Sequence, residues 1–216
     1  MRTLAIGDIH GCLTSLETLA DYASFKNDDV IVTLGDYVDR GPDSKGVIDW
    51  LLALRERRQL VHLRGNHEIM MLDALEHPSD LAGWLHVGGE ATLASYGKSF
   101  ADVPQEHWDF IRTALPYFEM ETHFFVHANA KPKVSLEEQS EDTLYWESFG
   151  KPRPHQSGKV MVCGHTSQKS GHPRDRGHAV CIDTFAYGGG WLTCLDAGSG
   201  TYWQTNERGE RRSGEL

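Results

Sequence analysis

The chain has 216 residues and a formal net charge of −10 at pH 7, with 39% of its residues hydrophobic and 24% charged. These proportions are those of a globular domain that is long enough to bury a sizeable core. The negative charge argues against a general nucleic-acid binder or an anionic-membrane binder, because both need a basic surface. An anionic substrate is not excluded, since bound divalent cations can reverse the local sign of the charge.

No apolar run approaches the roughly 20 residues that span a bilayer, and the N-terminus reaches polar residues too early for a signal peptide. We therefore expect a cytoplasmic protein that does not enter a membrane. The cysteines show neither a metal-type spacing nor a dense disulfide framework, so free, mostly buried thiols are expected. They are Cys12, Cys163, Cys181 and Cys194.

Short apolar runs bounded by glycines recur along the chain, and their β-branched content predicts buried strands. They cover residues 3–6, 30–34, 60–63, 124–126, 160–163, 179–182 and 191–195. Two amphipathic segments, 13–23 and 44–58, lie between the first three runs, and Ser44 is predicted to be the N-cap of the second. The alternation of strand and helix predicts an α/β fold with a parallel sheet and right-handed crossovers.

Helical periodicity resumes at residues 67–75, 89–96 and 105–115. The C-terminal third is strand-rich, and turns near residues 188–190 and 198–200 are compatible with an antiparallel meander. Residues 1–205 are predicted to form a single domain. The polar, glycine-containing residues 206–216 are predicted to be a fraying C-terminal tail.

Three consecutive predicted strands each end in a glycine-flanked cluster of Asp, His or Asn. GDIHG (7–11) follows the first, GDYVDRG (35–41) the second and RGNHE (64–68) the third. Ligands of a parallel α/β sheet bind at the carboxyl ends of its strands, so these clusters are expected to converge there.

The residue types in these clusters suit a pair of metal ions. Asp8 and His10 are two residues apart on an extended segment, so both side chains can point to the same side and ligate one ion. Asp36 can offer its carboxylate to two ions, and the side-chain oxygen of Asn66 suits the second. Mixed ligation by Asp, Asn and His fits a divalent ion such as Mn, Fe or Zn and requires no thiolate.

His127 and His165 follow two later strands and could complete the shell of the second ion. Each feature has a simpler explanation when taken alone. Gly-Asp and Asn-His are common turn dipeptides, an isolated His127 is more often a core histidine, and the adjacent Asp39 and Arg40 could be a surface ion pair. Five strand ends that all carry ligand-type residues favour a metal site.

GDIHG, GDYVDRG and GNHE, in this order and spacing, resemble the signature of the phosphoprotein phosphatase (PPP) family. His127-Ala128 and Gly164-His165-Thr166 resemble its remaining metal motifs, so the similarity runs from about residue 2 to about residue 196. The chain length and the stretch WLHVGGEATLASY (84–96) are most similar to the small bacterial and phage serine/threonine protein phosphatases. The resemblance implies a metallo-dependent phosphatase fold, in which a central β-sandwich of mixed sheets is flanked by helices.

The resemblance also implies two divalent ions, with manganese preferred and iron or zinc as alternatives. Asp8 and His10 would bind the first ion, and Asp36 would bridge both. The second ion would be held by Asn66, His127 and His165.

In the mechanism that the resemblance implies, a metal-bridging hydroxide attacks phosphorus in line. His67 would protonate the leaving oxygen as general acid, and Asp39 would orient it. Arg40 would hold phosphate oxygens through its planar fork, together with Asn66.

The chain departs from the family pattern in two places. The small members usually carry a second phosphate-binding arginine two residues after a tryptophan, whereas Trp146 is followed by Glu147 and Ser148. Lys151 or Arg153 could reach the site, although a solvated loop charge is the simpler interpretation of either.

The second departure follows Ile-Asp-Thr, where the usual glycine is replaced by Phe185. Phe185, Tyr187 and Trp191 could line the substrate cleft, but we expect them to belong to the core.

The resemblance implies a phosphomonoesterase that acts on phosphoserine and phosphothreonine in proteins, with phosphotyrosine as a further candidate. Its partner would be a phosphorylated protein or a small phosphorylated substrate, and neither a nucleic acid nor a membrane. A hydrolase of diadenosine tetraphosphate and related dinucleoside polyphosphates is the alternative, because it uses the same scaffold and metals. A non-catalytic binding module is disfavoured, because all the ligand and acid residues are present.

Overall fold

The computed structural model describes residues 1–216, and it contains two mixed β-sheets. The first sheet has six strands in the spatial order β11-β10-β9-β1-β2-β3. They are β1 (Thr3–Ile6), β2 (Val30–Thr33), β3 (Gln59–His62), β9 (Leu192–Asp196), β10 (Thr201–Thr205) and β11 (Arg211–Glu215). As predicted, β1, β2 and β3 are parallel, whereas β9, β10 and β11 pair in antiparallel fashion.

The second sheet has five strands in the order β4-β5-β6-β8-β7. They are β4 (Tyr117–Glu119), β5 (His123–Val126), β6 (Val160–Cys163), β7 (Arg174–Asp175) and β8 (Ala179–Cys181). The three central strands, β5, β6 and β8, are parallel. Both sheets therefore have parallel strands at their centres, and parallel strands bring the residues that follow them to one edge.

Side chains from the facing surfaces of the two sheets form one buried cluster, which makes the fold a β-sandwich. Val32 of β2, Phe125 of β5 and Val162 of β6 belong to it. A larger cluster, which includes Leu16 and Leu51, packs helices on the outer face of the first sheet. The predicted sandwich of mixed sheets with flanking helices is confirmed. All four cysteines are free and buried, also as predicted.

Five of the six helices follow the predicted segments, with ends displaced by at most three residues, whereas α4 was not predicted. They are α1 (Leu13–Tyr22), α2 (Ser44–Arg55), α3 (Asn66–Glu76), α4 (Leu81–Trp84), α5 (Glu90–Tyr96) and α6 (Gln105–Arg112). A wide turn at Leu85–Gly89 joins α4 to α5. None of the helices is long and apolar enough to cross a membrane.

The N-cap prediction for α2 is wrong by one residue. Asp43 is the cap, and its Oδ1 atom accepts a hydrogen bond of 2.7 Å from the backbone N–H of Gly46. Ser44 is the first helical residue. Its hydroxyl faces inward and accepts a hydrogen bond from the backbone N–H of Asp39 at 3.1 Å.

Two predictions for the C-terminal third are also wrong. Residues 206–216 do not fray, because β11 pairs with β10 over five residues. The turn at residues 198–200 does join two antiparallel strands, β9 and β10, but β8 is not part of that meander. It lies in the second sheet, parallel to β6, so residues 188–190 lie on the connection between the two sheets.

Candidate active site

The predicted site residues converge where the parallel strands of both sheets end. Asp8, Asp36 and Asn66 follow strands of the first sheet, whereas His127 and His165 follow β5 and β6 of the second. All except His165 are at least nine-tenths buried. Hydrogen bonds and close polar contacts connect the two halves, so the site spans the sandwich.

One cluster of ligand-type atoms comprises His10, Asp36 and His67, whose ligand atoms lie within 4.8 Å of one another. The Nδ1 atom of His10 donates to the carbonyl oxygen of Val38 at 2.9 Å, because a carbonyl can only accept. The Nε2 atom therefore carries the lone pair, and it lies 3.4 Å from Asp36 Oδ2. Burial lowers the pKa of His10 to about 3, which keeps the imidazole neutral.

A second cluster shares Asp36 and adds His127 and His165. His127 Nδ1 donates to the carbonyl oxygen of Leu34 at 2.8 Å, which leaves Nε2 facing Asn66 Oδ1 at 2.9 Å and Asp36 Oδ1 at 3.5 Å. Burial lowers the pKa of His127, so this imidazole is also neutral.

His165 completes the second cluster with the opposite ring nitrogen. Its Nε2 atom donates to the carbonyl oxygen of Trp146 at 3.1 Å, and its Nδ1 atom lies 3.0 Å from Asn66 Oδ1. Burial, followed by the neighbouring His127, lowers the pKa of His165 to about 4. Lone pairs of two neutral imidazoles thus face the same amide oxygen, an arrangement that a shared cation would stabilise.

The carboxylates support the same interpretation. Burial alone would raise the pKa of Asp36, but the surrounding histidines outweigh it, so the pKa is lowered and the group stays ionised. Burial, together with Asp183 and Asp36, raises the pKa of Asp8 well above its usual range. Bound cations would offset this concentration of negative charge. The donor set, which is neutral imidazole, carboxylate and amide oxygen, fits two divalent ions that share Asp36.

Asp8 lies apart from the tight cluster around His10. Its carboxylate accepts a hydrogen bond from the backbone N–H of His165, with Oδ2 at 2.9 Å. Asp183, which was not predicted to be a site residue, is a further buried carboxylate at the site. It accepts from the Ser167 hydroxyl at 2.7 Å and from the backbone N–H of Phe185 at 3.0 Å.

His67 and Asp39 form a buried pair beside the first cluster. His67 Nδ1 lies 2.6 Å from Asp39 Oδ2. Burial alone would lower the pKa of His67, but the carboxylates of Asp36 and Asp39 outweigh it and the pKa is raised. The protonated form of His67 is therefore favoured, as a general acid requires.

Two residues of the stretch 84–96 fix the Asp39 carboxylate. The indole N–H of Trp84 donates to Asp39 Oδ2 at 2.9 Å, and the hydroxyl of Thr92 donates to Oδ1 at 2.7 Å. Both lie in the stretch whose only predicted significance was its resemblance to the small family members. Their roles were missed because they lie 45 and 53 residues from Asp39 along the chain.

Gly88, in the same stretch, supports Arg40. Its carbonyl oxygen accepts the backbone N–H of Arg40 at 3.1 Å. Its φ of +125° favours glycine, and a Cβ atom there would lie 2.7 Å from Cγ of Arg40. The residues around 84–92 therefore form a wall behind Asp39 and Arg40.

Arg40 is exposed at the mouth of the site. Its Nη1 atom lies 3.0 Å from His10 Nε2, and its guanidinium carbon lies 4.6 Å from the centre of the Tyr187 ring. The Tyr187 ring also contacts the His10 ring, with centroids 4.9 Å apart. Tyr187 packs against the main hydrophobic core, as expected, but its half-buried ring also borders the site.

Backbone strain is concentrated at this site. Eight non-glycine residues have positive φ, and five of them are predicted site residues. Those five are His10, Asp36, Asp39, Arg40 and His165. Residues persist in this conformation only when the surrounding structure holds them there, and such residues cluster at functional sites.

Glu68 connects the loop after β2 to the loop after β3 through hydrogen bonds. Its carboxylate accepts hydrogen bonds from the backbone N–H groups of Asp36 and Gly65, both at 2.9 Å, and of Tyr37 at 2.8 Å. The final Glu of GNHE therefore positions the Asp36 loop rather than contacting a substrate.

The loop around Ser148, where the family's second arginine is missing, contributes backbone carbonyl groups to the site instead of a charged side chain. The carbonyl oxygen of Trp146 holds His165, and the carbonyl oxygen of Ser148 accepts from Asn129 Nδ2 at 3.0 Å. Lys151 and Arg153 are both exposed in this loop, as predicted.

Residues 1–191 match the family model described as calcineurin-like phosphoesterase. The chain belongs to this family. The resemblance to the phosphoprotein phosphatases is confirmed at the level of the family. Divalent metal ions are the cofactors of this family, and His10, Asp36, His127 and His165 are candidate ligands for them.

Two curated relatives of this chain have different names. The chain is 42% identical over 86 residues to serine/threonine-protein phosphatase 1 of Salmonella typhimurium, and the alignment covers 39% of this chain and 38% of that protein. It is 41% identical over 73 residues to a symmetrical bis(5'-nucleosyl)-tetraphosphatase of Buchnera aphidicola, covering 33% and 26%. The aligned segments thus span less than two-fifths of either relative.

A solved structure, that of a candidate diadenosine tetraphosphatase, has a TM-score of 0.71 with 23% identity. The match covers 99% of this chain and 93% of that one, and it confirms the metallophosphoesterase fold.

Proposed function

We propose that this protein is a metal-dependent phosphomonoesterase that hydrolyses phosphoserine and phosphothreonine in proteins. The observation that carries the proposal is the buried Asp39–His67 pair, which stands beside a histidine–carboxylate centre with Arg40 at its mouth. A phosphoryl group needs charge stabilisation and a proton for its leaving oxygen, and these residues supply both.

Asp8, His10 and Asp36 would hold one divalent ion, and Asp36, Asn66, His127 and His165 the other. Manganese is the first candidate, because mixed nitrogen and oxygen donors suit it. When bound, the ions supply Lewis acidity, which activates water and withdraws charge from the phosphoryl oxygens.

The protein residues then divide the remaining work. Arg40 would bind phosphate oxygens through its guanidinium fork, and the Tyr187 ring beside it limits how the fork can rotate. His67 Nδ1 is committed to Asp39, so its Nε2 atom is the one that would give a proton to the departing alcohol. Asp39 would stabilise the positive charge of His67 until that transfer takes place.

The first experiment compares initial rates of the manganese-loaded enzyme on phosphoserine, phosphothreonine and phosphotyrosine peptides and on diadenosine tetraphosphate. Preference for the peptides would support the proposal. Preference for the dinucleotide would favour the alternative, a dinucleoside polyphosphate hydrolase, for which the Buchnera relative is the supporting comparison.

Metal dependence has a separate test. Rigorous chelation should abolish activity and added manganese should restore it, whereas full activity after chelation would contradict the proposal. Asn66→Ala should lower the metal content measured by elemental analysis, because Asn66 Oδ1 faces two imidazole nitrogens. Asn27→Ala is a matched control on the surface, where the Asn27 amide contacts Arg58 only.

A further inference from the structure

Phe185 stands at the mouth of the site in a conformation that a bulky residue rarely adopts. Its φ of +66° and ψ of +43° lie in the left-handed region. The other strained, non-glycine positions are either predicted site residues or the exposed loop residues Ser24 and Lys98. Phe185 thus has the same strained backbone conformation as the site residues, although it has no role in the proposed reaction.

The surroundings of Phe185 hold its ring in place. Its backbone N–H donates to buried Asp183 at 3.0 Å, and its own carbonyl oxygen accepts the backbone N–H of Gly190 at 2.9 Å. A methyl group at Gly188 would overlap the ring, so the glycine lets the backbone lie against the ring edge. The side chain is half-buried, and part of the ring faces solvent.

A continuous row of rings connects Phe185 to the general acid. The centroids of Phe185 and Tyr187 are 4.8 Å apart, those of Tyr187 and His10 are 4.9 Å apart, and those of His10 and His67 are 4.7 Å apart. The row runs from the proton donor, past Arg40, to the surface. A ring bonded to a phosphate that Arg40 binds would lie beside Tyr187, whose ring centre is 4.6 Å from the Arg40 guanidinium carbon and which contacts Phe185.

We infer that Phe185, with Tyr187, forms an aromatic wall that binds a planar ring attached to the scissile phosphate. This inference rests on the proposed phosphomonoesterase function and makes Phe185 a specificity-determining residue for aryl phosphates. Aromatic rings in contact favour offset or edge-to-face packing, which an alkyl leaving group does not reproduce.

The wall favours a ring close to the reacting phosphorus. The side chain of phosphotyrosine has such a ring, because its phosphate is bonded to the phenol oxygen. In a dinucleoside polyphosphate, a ribose and further phosphates separate each base from the central phosphates. Lys169 Nζ lies 5.6 Å from the centre of the Phe185 ring, and this exposed cation could pair with an acidic neighbour of the phosphotyrosine.

The test uses three peptides of one sequence that carry phosphoserine, phosphothreonine or phosphotyrosine, and it compares kcat/KM values. Phe185→Gly removes the ring and suits the left-handed backbone. We expect the ratio of kcat/KM for phosphotyrosine to that for phosphoserine to fall roughly fivefold. Phe25→Gly removes another half-buried phenylalanine, at the start of the loop before β2 and thus at the opposite end of the sheet, and should keep the ratio within about twofold.

An unchanged ratio in Phe185→Gly would overturn the inference while leaving the phosphomonoesterase proposal intact. A wild-type enzyme that hydrolyses none of the peptides would overturn both. A larger loss on diadenosine tetraphosphate than on the phosphotyrosine peptide would show that the wall binds a base instead. If Phe185→Gly does not fold, Phe185→Leu keeps apolar contact without a ring, and the same fall in ratio is expected of it.

Discussion

The carboxylate of Asp39 lies 2.6 Å from the Nδ1 atom of His67, and both side chains are almost completely buried. This contact orients the imidazole and raises its affinity for a proton. His67→Asn should lower kcat by about 100- to 10,000-fold, the range for loss of a general acid. Metal content should stay near wild type, since the change does not remove an expected ligand. An unchanged kcat would exclude His67 as the acid.

Asp39→Asn tests the same contact through the pH profile. The carboxylates of Asp36 and Asp39 raise the pKa of His67, so activity that needs protonated His67 falls as the pH rises through that pKa. Removing the charge of Asp39 lowers the pKa, so the activity should fall at a lower pH than in the wild type. A profile of kcat against pH measures this displacement, and an alkaline limb that does not move would contradict the role of Asp39.

Trp84 and Thr92 should matter because each donates a hydrogen bond to Asp39. A hydrogen bond to an ionised group contributes about 1.5–3 kcal/mol. Trp84→Phe and Thr92→Val should each lower kcat about tenfold and change the alkaline limb of the pH profile. Trp50→Phe is the matched control, because Trp50 lines a surface cavity with Phe25 and Leu54. If Trp84→Phe and Trp50→Phe have equal effects on kcat, then Trp84 contributes packing only and not a hydrogen bond that matters for catalysis.

Gly88→Ala should displace Arg40. The added Cβ would lie 2.7 Å from both the Arg40 backbone nitrogen and its Cγ, at a φ that disfavours alanine. We expect kcat/KM to fall at least about tenfold, as for a lost charge-assisted phosphate contact, mainly through KM. Gly83→Ala is the control, because a Cβ at Gly83 would meet no atom within 4 Å. A KM for Gly88→Ala that equals that of the control would contradict this role.

A pH-dependent contribution to stability is expected from Arg2 and Asp29, away from the site. Asp29 accepts from Arg2 Nε at 3.0 Å and from the backbone N–H of Lys26 at 2.7 Å. Burial raises the pKa of Asp29, but these hydrogen bonds outweigh it and the pKa is lowered in the folded state. The stabilisation is therefore complete above the unfolded pKa of about 3.9 and is lost as the pH falls through the folded pKa.

Asp29→Asn should accordingly lower the free energy of unfolding by about 1–3 kcal/mol at pH 7. The difference from wild type should shrink as the pH is lowered below about 4, where the unfolded chain already binds the proton. Denaturant titrations at several pH values measure this. A difference that is constant down to pH 3 would show that the charge is not what stabilises the fold.

The strand-end clusters could be predicted from the sequence because parallel strands bring their carboxyl ends to one edge. Asp8, Asp36 and Asn66 could therefore be placed together from the predicted parallel strands alone. Trp84 and Thr92 could not, because no periodicity marks a contact with a residue 45 or 53 positions away. The contact of Tyr187 with the site was not predicted, because an aromatic residue beside glycines carries no signal that distinguishes a buried position from a cleft.

The last strand shows a different limit of sequence analysis. Arg211–Glu215 contains charged residues and a glycine, and such composition is depleted in strands. At the edge of a sheet, however, charged side chains are tolerated, and here β11 alternates between exposed and half-buried residues. Pairing with β10, rather than local propensity, determines its structure.

The position of the metal-type residues between the two sheets has a mechanical consequence. Asn66 comes from the first sheet, and its partners His127 and His165 come from the second, 61 and 99 residues away along the chain. An ion held there would act as a removable cross-link that closes long loops and fastens one sheet to the other. The free energy of ion binding would then stabilise the folded sandwich. The concentration of available metal would therefore set the lifetime of the folded protein as well as its catalytic rate.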